Sequence, residues 1–220
     1  MRFHDRRHAG EELAVRILDR ASHGDLVDTI VLALPRGGVP VAAQVARALQ
    51  APLDVLVARK IGVPGRPESG IGAIVADDPP LFDQPALEML DLSEDRLGAD
   101  VARERVELRR REEVYRGGRR PAPVKDRTVI LIDDGVATGV TARAALRHLR
   151  GREPHLLILA VPVCASGTVD LMRREADDIV CLHRPSQLRS VSEWYDDFDQ
   201  VGDDEVIETL RGFSPLSPAG

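Results

Sequence analysis

The chain has 220 residues, of which 43% are hydrophobic and 30% charged, and its formal net charge is −6. That length suits one large domain with an ample core, and the acidic balance argues against a dedicated nucleic-acid binder while leaving room for a local basic pocket. No apolar run is long enough to span a bilayer and the first eight residues lack the apolar core of a signal peptide, so a cytoplasmic location is expected.

The N-terminal residues Phe3, His4, Asp5, Arg6 and Arg7 are expected as a solvated terminus, the alternative being that their basic groups cover a site or a dimer partner. Residues 9–20 predict an amphipathic helix with Leu13, Ile17 and Leu18 on one face. A short apolar strand over 27–34 runs into Pro35-Arg36-Gly37-Gly38, and residues 39–49 predict a helix with Val41, Val45 and Leu49 in register. Residues 53–58 form another strand, which ends at Arg59-Lys60 and opens a loop punctuated by Gly62, Pro64, Gly65, Pro67 and Gly70. A strand resumes over 71–75, and 77–84 is turn-rich.

A long, heavily charged helix is predicted over 93–116. Its Glu107/Arg111 and Glu112/Arg116 pairs have the favourable spacing, worth only ~0.3–0.5 kcal/mol each. Leu97, Val101, Leu108 and Tyr115 form a narrow apolar stripe that packs on the body or on a second subunit, which makes a homodimer plausible. Gly117-Gly118 ends this helix. Strands follow over 129–132, 155–163 and 178–182, with helices over 142–149 and 166–175 between them. Cys164 and Cys181 lie in apolar runs and are expected as unpaired buried thiols. Residues 206–210 predict a last helix, and the final Ser-, Pro- and Gly-rich residues are expected to fray.

Alternating strands and helices imply an α/β fold with a doubly wound parallel sheet covered on both faces. The expected organisation is a core over 1–185, including the charged helix as an insertion, and a small C-terminal hood over 186–220. In such sheets, ligands bind outside the carboxyl ends of the strands. Arg36-Gly37-Gly38, Arg59-Lys60, Asp133-Asp134 and the segment after Leu182 all fall at such ends.

Residues 129–141 carry the most information. Four apolar residues deliver Asp133 and Asp134 to a strand end, and Gly135, Val136, Ala137, Thr138, Gly139, Val140 and Thr141 lead into a helix. The acids can face sugar hydroxyls or a metal. The backbone of 137–141, with the Thr138 and Thr141 hydroxyls, can cradle a phosphate. The plainer alternative is a solvated acid pair followed by a helix cap. The segment is not a nucleotide-triphosphate loop, because it lacks the lysine and glycine spacing of that motif.

Val129 to Thr141 resembles the signature of type I phosphoribosyltransferases, enzymes that use phosphoribosyl pyrophosphate (PRPP). Pro35-Arg36-Gly37-Gly38 resembles the family's pyrophosphate loop, which often carries a non-proline cis peptide; Pro35–Arg36 is where one is expected. Arg59-Lys60 and the loop to Gly70 resemble the mobile loop that closes over the reacting centre, and the tail resembles the variable hood that selects the base. The resemblance implies transfer of a 5-phosphoribosyl group from PRPP to a nitrogenous base with release of pyrophosphate. It implies Mg²⁺ as cofactor, with Asp133 and Asp134 in its outer shell and on the ribose hydroxyls. Gly37 and Gly38, with Arg59 and residues Ala137, Thr138, Gly139, Val140 and Thr141, would hold the phosphates. Arg36 and Lys60 would offset leaving-group charge, with Arg59 either doing the same or merely anchoring the loop.

Glu68, in the mobile loop, is a candidate proton acceptor on closure. Where oxopurine enzymes of the family place a third acid, this chain has Ala137, which leans away from hypoxanthine and guanine and leaves the acceptor open. Trp194, Tyr195 and Phe198 suit a base-stacking platform or, equally, glue between tail and core. His183 is a candidate contact to base or pyrophosphate, or a structural residue. A regulator that senses PRPP or a nucleotide on the same fold and a ribosyl-phosphate hydrolase remain alternative functions.

Overall fold

In the computed structural model the described residues are 2–22, 24 and 26–213; the expectation of a frayed end falls on residues 214–220, outside them, as does the side chain of Glu68. Five short apolar runs form one parallel sheet in the order β2-β1-β6-β7-β8. These are β1 (Thr29–Ala33), β2 (Leu53–Val55), β6 (Thr128–Ile132), β7 (Leu156–Val163) and β8 (Asp178–His183). Side chains alternate between faces along each strand. Val31, Ala33, Ile130, Ile132, Ile158 and Ala160 join one core; Ile30, Leu32, Val129, Leu131, Leu157 and Leu159 join the other. The first core is covered by α1 (Arg6–Ala21) and α2 (Gly38–Leu49), and the second by α5 (Val140–Arg150) and α6 (Ser166–Met172). The doubly wound α/β fold read from the sequence is therefore the fold of the chain.

The helix α1 begins earlier than its periodicity suggests, because the Asp5 carboxylate accepts a hydrogen bond from His8 N at 2.7 Å and caps it. Its core face is Ala9, Gly10, Leu13, Ala14 and Ile17, whereas Leu18 is 44% exposed. Gly10 sits against Val41 of α2, where a Cβ would lie 2.7 Å from the Val41 carbonyl oxygen. The apolar stripe is thus set by close approach to α2, and Leu18 falls outside it.

The segment expected as a loop after Lys60 is instead a β-ribbon. The strands β3 (Ala58–Val63), β4 (Arg66–Val75) and β5 (Leu81–Phe82) make a separate antiparallel sheet. The glycines and prolines that suggested a loop mark its irregular points: register shifts flank Gly62, and Gly65 turns the hairpin with φ of 79°. The helix α3 (Gln84–Met89) and a short 3-10 turn follow, and then α4 (Gly98–Arg116). Leu97, Leu108 and Tyr115 are buried against the body, and both expected ion pairs form, Glu107–Arg111 at 2.7 Å and Glu112–Arg116 at 3.2 Å.

After β8 the chain divides. Residues 186–199 return over the carboxyl edge of the sheet, while α7 (Asp203–Arg211) packs against α2 and α4. The N-terminus is solvated only in part: Arg2, His4 and Arg7 are exposed, but Phe3 is buried and Arg6 mostly so. Phe3 is 1% exposed and pairs with Tyr195 as a parallel bridge; Phe3 N donates to the Trp194 carbonyl at 2.8 Å and Asp196 N to the Phe3 carbonyl at 2.9 Å. Burial of the Phe3 ring beside Tyr195 outweighs the solvation of its charged neighbours. Both cysteines are free; Cys164 is buried and its thiol is pushed up to about 12 by burial, whereas Cys181 is partly exposed. No helix among the described residues is long and apolar enough to cross a membrane.

Candidate active site

From β1 the chain moves outward to β2, and from β6 it moves the other way to β7. The gap between β1 and β6 is therefore the topological switch point, where the loops leaving the two strands splay apart and leave a crevice. Ala33 pairs with Ile132 in the last register position, and Leu34 N donates to the Ile132 carbonyl at 2.8 Å. This fixes residues 35–38 beside residues 133–139.

The first loop contains a cis peptide at Pro35–Arg36, the position singled out in the sequence. Its glycines are required by closeness. A Cβ on Gly37 would run into the Asp134 carboxylate, and one on Gly38 would lie 2.7 Å from the Ile132 carbonyl oxygen. Arg36 reaches back to α7, its Nη1 3.8 Å from Asp203 Oδ1. The same Asp203 oxygen accepts from the Tyr115 hydroxyl at 2.6 Å, and the Tyr115 hydroxyl is pushed well up by burial and by this acid.

The acids stand at the end of β6. Asp133 Oδ1 accepts from Asp134 N at 2.9 Å, which ties the Asp133 carboxylate to the backbone of its neighbour. Burial and then the neighbouring Asp134 charge push the Asp133 carboxyl well up. Burial also raises Asp134, against the opposing pull of Arg6, whose Nε donates to Asp134 Oδ2 at 2.8 Å. A pocket with this demand for positive charge and hydrogen-bond donors suits a polyhydroxylated, metal-associated or cationic group.

Beyond the acids, Val136 N donates to the Val163 carbonyl at 2.8 Å and pins the loop to β7. The Thr168 hydroxyl donates to the Ala137 carbonyl at 2.6 Å. Gly139, with φ of 80°, turns the chain into α5. No side chain caps this helix, and among the described residues the N–H groups of Ala137, Thr138 and Gly139 have no acceptor. With Val140 and Thr141 at the start of α5, these amides gather hydrogen-bond donors at a helix N-terminus, an arrangement that suits an anion.

The basic pair on β3 is divided. Adjacent strand residues face opposite ways, and Arg59 faces α4, where its Nε and Nη2 donate to Glu104 Oε2 at 2.9 and 2.7 Å. Lys60 is exposed, and its stem lies against Gly70. A Cβ on Gly70 would lie 3.6 Å from Val140 Cγ1, so this face of the ribbon overhangs the start of α5. Of the two, only Lys60 is on the side of the anion cluster.

Over the crevice lies a cluster from both ends of the chain. Tyr195 is 4% exposed and its hydroxyl donates to the Asp134 carbonyl at 2.6 Å. Its ring packs on Phe198 and Phe3, and Trp194 stacks on His183 with ring centres 5.2 Å apart. Val191 presses on Gly135: a Cβ there would lie 2.5 Å from Val191 Cγ1.

Comparison with known proteins follows the same outline. Residues 5–199 match the family model described as the phosphoribosyl transferase domain. The chain belongs to the phosphoribosyl transferase family. Two Mycobacterium tuberculosis proteins, from strains CDC 1551 and H37Rv and named provisionally as phosphoribosyl transferases, are each 40% identical to it over 219 residues. The match takes in 99% of this phosphoribosyl transferase chain and 48% of either relative, so the chain spans about half the length of those curated proteins. The crystal structure of TT1426 from Thermus thermophilus is 39% identical, covers 98% of this chain and 100% of its own, and superposes with a TM-score of 0.78.

Sequence reasoning brought Arg36, Gly37, Gly38, Asp133, Asp134 and residues 137–141 to one edge of the parallel sheet; Lys60 lies on the antiparallel ribbon beside it. It did not single out Asp203, Tyr115, Glu104 or Val191, or settle that Arg6 covers the acids. For the N-terminus a signal existed: Phe3 is one of only four phenylalanines, set just ahead of the capping residue Asp5. Asp203 carried no such signal, because its partners come from α4 and the β1 loop.

Proposed function

We propose that this chain moves the 5-phosphoribosyl group of PRPP to a nitrogenous base and releases pyrophosphate. The observation that carries the proposal is the convergence, at the switch point between β1 and β6, of three structures suited to three parts of one molecule. The unsatisfied amides of 137–141 suit the 5′-phosphate. Asp133 and Asp134 suit the ribose hydroxyls, which donate to carboxylates. The Arg36–Gly38 loop, in contact with the acids, suits the pyrophosphate.

The chemistry is displacement at the anomeric carbon. As the bond to pyrophosphate lengthens, positive charge gathers on the ribose and negative charge on the leaving group. The acids lie beside the first, and Arg36 and Lys60 offset the second. No covalent bond to the protein forms, so positioning and preset electrostatics supply the rate. Arg59 is assigned the role of anchor, tying the ribbon to α4. Tyr195 and Phe198 hold the hood to the acids, and of the hood aromatics Trp194 is left as the ring for a base.

Mg²⁺ fits this donor set. Among the described residues no group of three or more His, Cys, Asp or Glu side chains is disposed to enclose a metal ion. An ion that keeps most of its waters and takes substrate phosphate oxygens needs no such cage, and Asp133 and Asp134 would hold it through those waters. When bound it neutralises pyrophosphate charge.

Val191 over Gly135 favours a second acceptor. Val191 packed on Gly135 brings the hood close beside the acids, and if that leaves no room for a base the acceptor is water, which would make the chain a ribosyl-phosphate hydrolase. Incubation with PRPP, Mg²⁺ and a panel of bases, with pyrophosphate release as the readout, tests both. Release that depends on one base supports the transferase, and release without any base supports hydrolysis. PRPP binding without release, lost in Asp133→Asn/Asp134→Asn, would replace both with a PRPP sensor. Equal PRPP binding by that double variant would refute the role given to the acids.

A further inference from the structure

The group in closest contact with the acids is not part of the convergent loops. Arg6, in the first turn of α1, is 11% exposed and is held on three sides. Its Nε donates to Asp134 Oδ2 at 2.8 Å, its Nη1 donates to the Asp199 carbonyl at 2.7 Å, and its guanidinium carbon stands 3.7 Å from the centre of the Phe198 ring. The same guanidinium borders the β1 loop, since a Cβ on Gly37 would lie 3.1 Å from Arg6 Nε. It therefore sits at the joint between the acids and the Arg36–Gly38 loop.

Its donors are not used up. Nη2 has no acceptor among the described residues, yet it is not one of the buried polar atoms left without a partner, so it opens to solvent. A guanidinium whose sole purpose was to brace the hood would turn its remaining donors into protein. Here a planar, permanently charged group beside the acids and the β1 loop is locked by a carboxylate, a carbonyl and an aromatic face, and keeps one amino group unused by the protein. Of the other cations nearby, Arg59 is taken by Glu104, while Arg36 keeps the leaving-group role given above and also faces Asp203. An anion entering beside Asp133 and Asp134 meets two carboxylates, and Arg6 is the cation placed between them and the β1 loop.

We propose that Arg6 is a substrate-contacting residue, which stays anchored to Asp134 through Nε and presents Nη2 to the pyrophosphate of PRPP, next to the oxygen that leaves the ribose. This rests on the PRPP reading above. The contact would be charge-assisted and would exist only for ligands that carry the pyrophosphate.

Three ligands separate the possibilities: PRPP, pyrophosphate and ribose 5-phosphate, each titrated calorimetrically in Mg²⁺ against wild type, Arg6→Gln and Arg6→Lys. Arg6→Gln is expected to weaken PRPP and pyrophosphate about 10- to 100-fold, the range of a charge-assisted hydrogen bond, and to leave ribose 5-phosphate nearly unchanged. Arg6→Lys, which keeps the charge but not the fork, is expected to recover part of the loss. Equal weakening of all three ligands would make Arg6 a structural brace and overturn the proposal, as would unchanged PRPP binding. If Arg6→Gln melts early in a thermal scan, the same contrast between pyrophosphate and ribose 5-phosphate is read from Arg6→Lys. A wild-type chain that binds no PRPP would overturn the PRPP reading itself, and Arg6 with it; loss confined to the variants keeps the two apart.

Discussion

Replacing Gly38 with alanine puts the spacing between the two central loops to the test. The new methyl would stand 2.7 Å from the Ile132 carbonyl oxygen and 3.0 Å from the Asp133 Cα. Both obstacles are backbone at the end of β6, tied into the sheet by the bond from Leu34 N, so neither can rotate aside. Reaching ordinary contact, at 3.4 Å, requires the loop to retreat by roughly 0.7 Å. Overpacking of this kind costs about 1–3 kcal/mol, which for a chain of this size lowers Tm by roughly 2–12 °C. The retreat also moves the Arg36–Gly38 loop, proposed above to hold pyrophosphate, from the acids, and a misplacement near 1 Å costs about a hundredfold in rate. Calorimetric unfolding and pyrophosphate release should therefore fall together in Gly38→Ala. Gly167→Ala is the control: nothing lies within 4 Å of its Cβ and the position is helical, so its Tm should hold or rise slightly. Wild-type Tm and wild-type rate in Gly38→Ala would refute the close approach, and a lowered Tm with full activity would sever loop spacing from catalysis.

Lys60→Ala should reduce pyrophosphate release by about tenfold or more, whereas Arg59→Ala should lower Tm and leave Glu104 with the longer Arg103 contact, at 3.7 Å, without a comparable loss of rate; a rate that falls in Arg59→Ala and holds in Lys60→Ala would invert the assignment of the two. Tyr195→Phe removes the buried hydrogen bond to the Asp134 carbonyl and should cost about 1–3 kcal/mol in denaturant unfolding, an unchanged midpoint being the contrary result. Glu107 supplies a pH dependence. Its carboxyl is held down at about 2, from an ordinary 4.5, chiefly by the hydrogen bond from Arg110 and further by Arg111. Because the folded value is the lower one, the stabilisation is complete above 4.5 and is lost as pH falls toward 2. Glu107→Gln should flatten that part of the acid limb in a pH series of melting curves, and a curve parallel to wild type would contradict it.

The sheet was legible because each strand is a short unbroken apolar run that ends on polar or glycine-rich residues, and the site followed because such sheets bind ligands at those ends. Asp133 and Asp134 could be placed from sequence since a strand of four apolar residues fixes where its carboxyl end falls. The β-ribbon was not legible, because glycines and prolines signal a loop and a bulged hairpin in the same terms. Arg59 and Lys60 looked like one basic patch until strand alternation sent them to opposite faces. The placement of Phe3 and Arg6 over the acids depends on partners near residue 195 and on Asp134, contacts that local periodicity does not encode.

The clip between the two chain ends bears on how the protein comes to be made. Arg6 lies 128 residues before Asp134, and Tyr195 lies 61 after it. Contacts of such separation form late, because loop closure must be met before they return any stabilisation. At a synthesis rate of about 5–20 residues per second, α1 emerges seconds before β6 and the hood emerges later again. The nascent chain therefore passes through lengths at which the acids exist without Arg6 docked and without Tyr195 to brace them. The proposed site is therefore completed among the last events of folding.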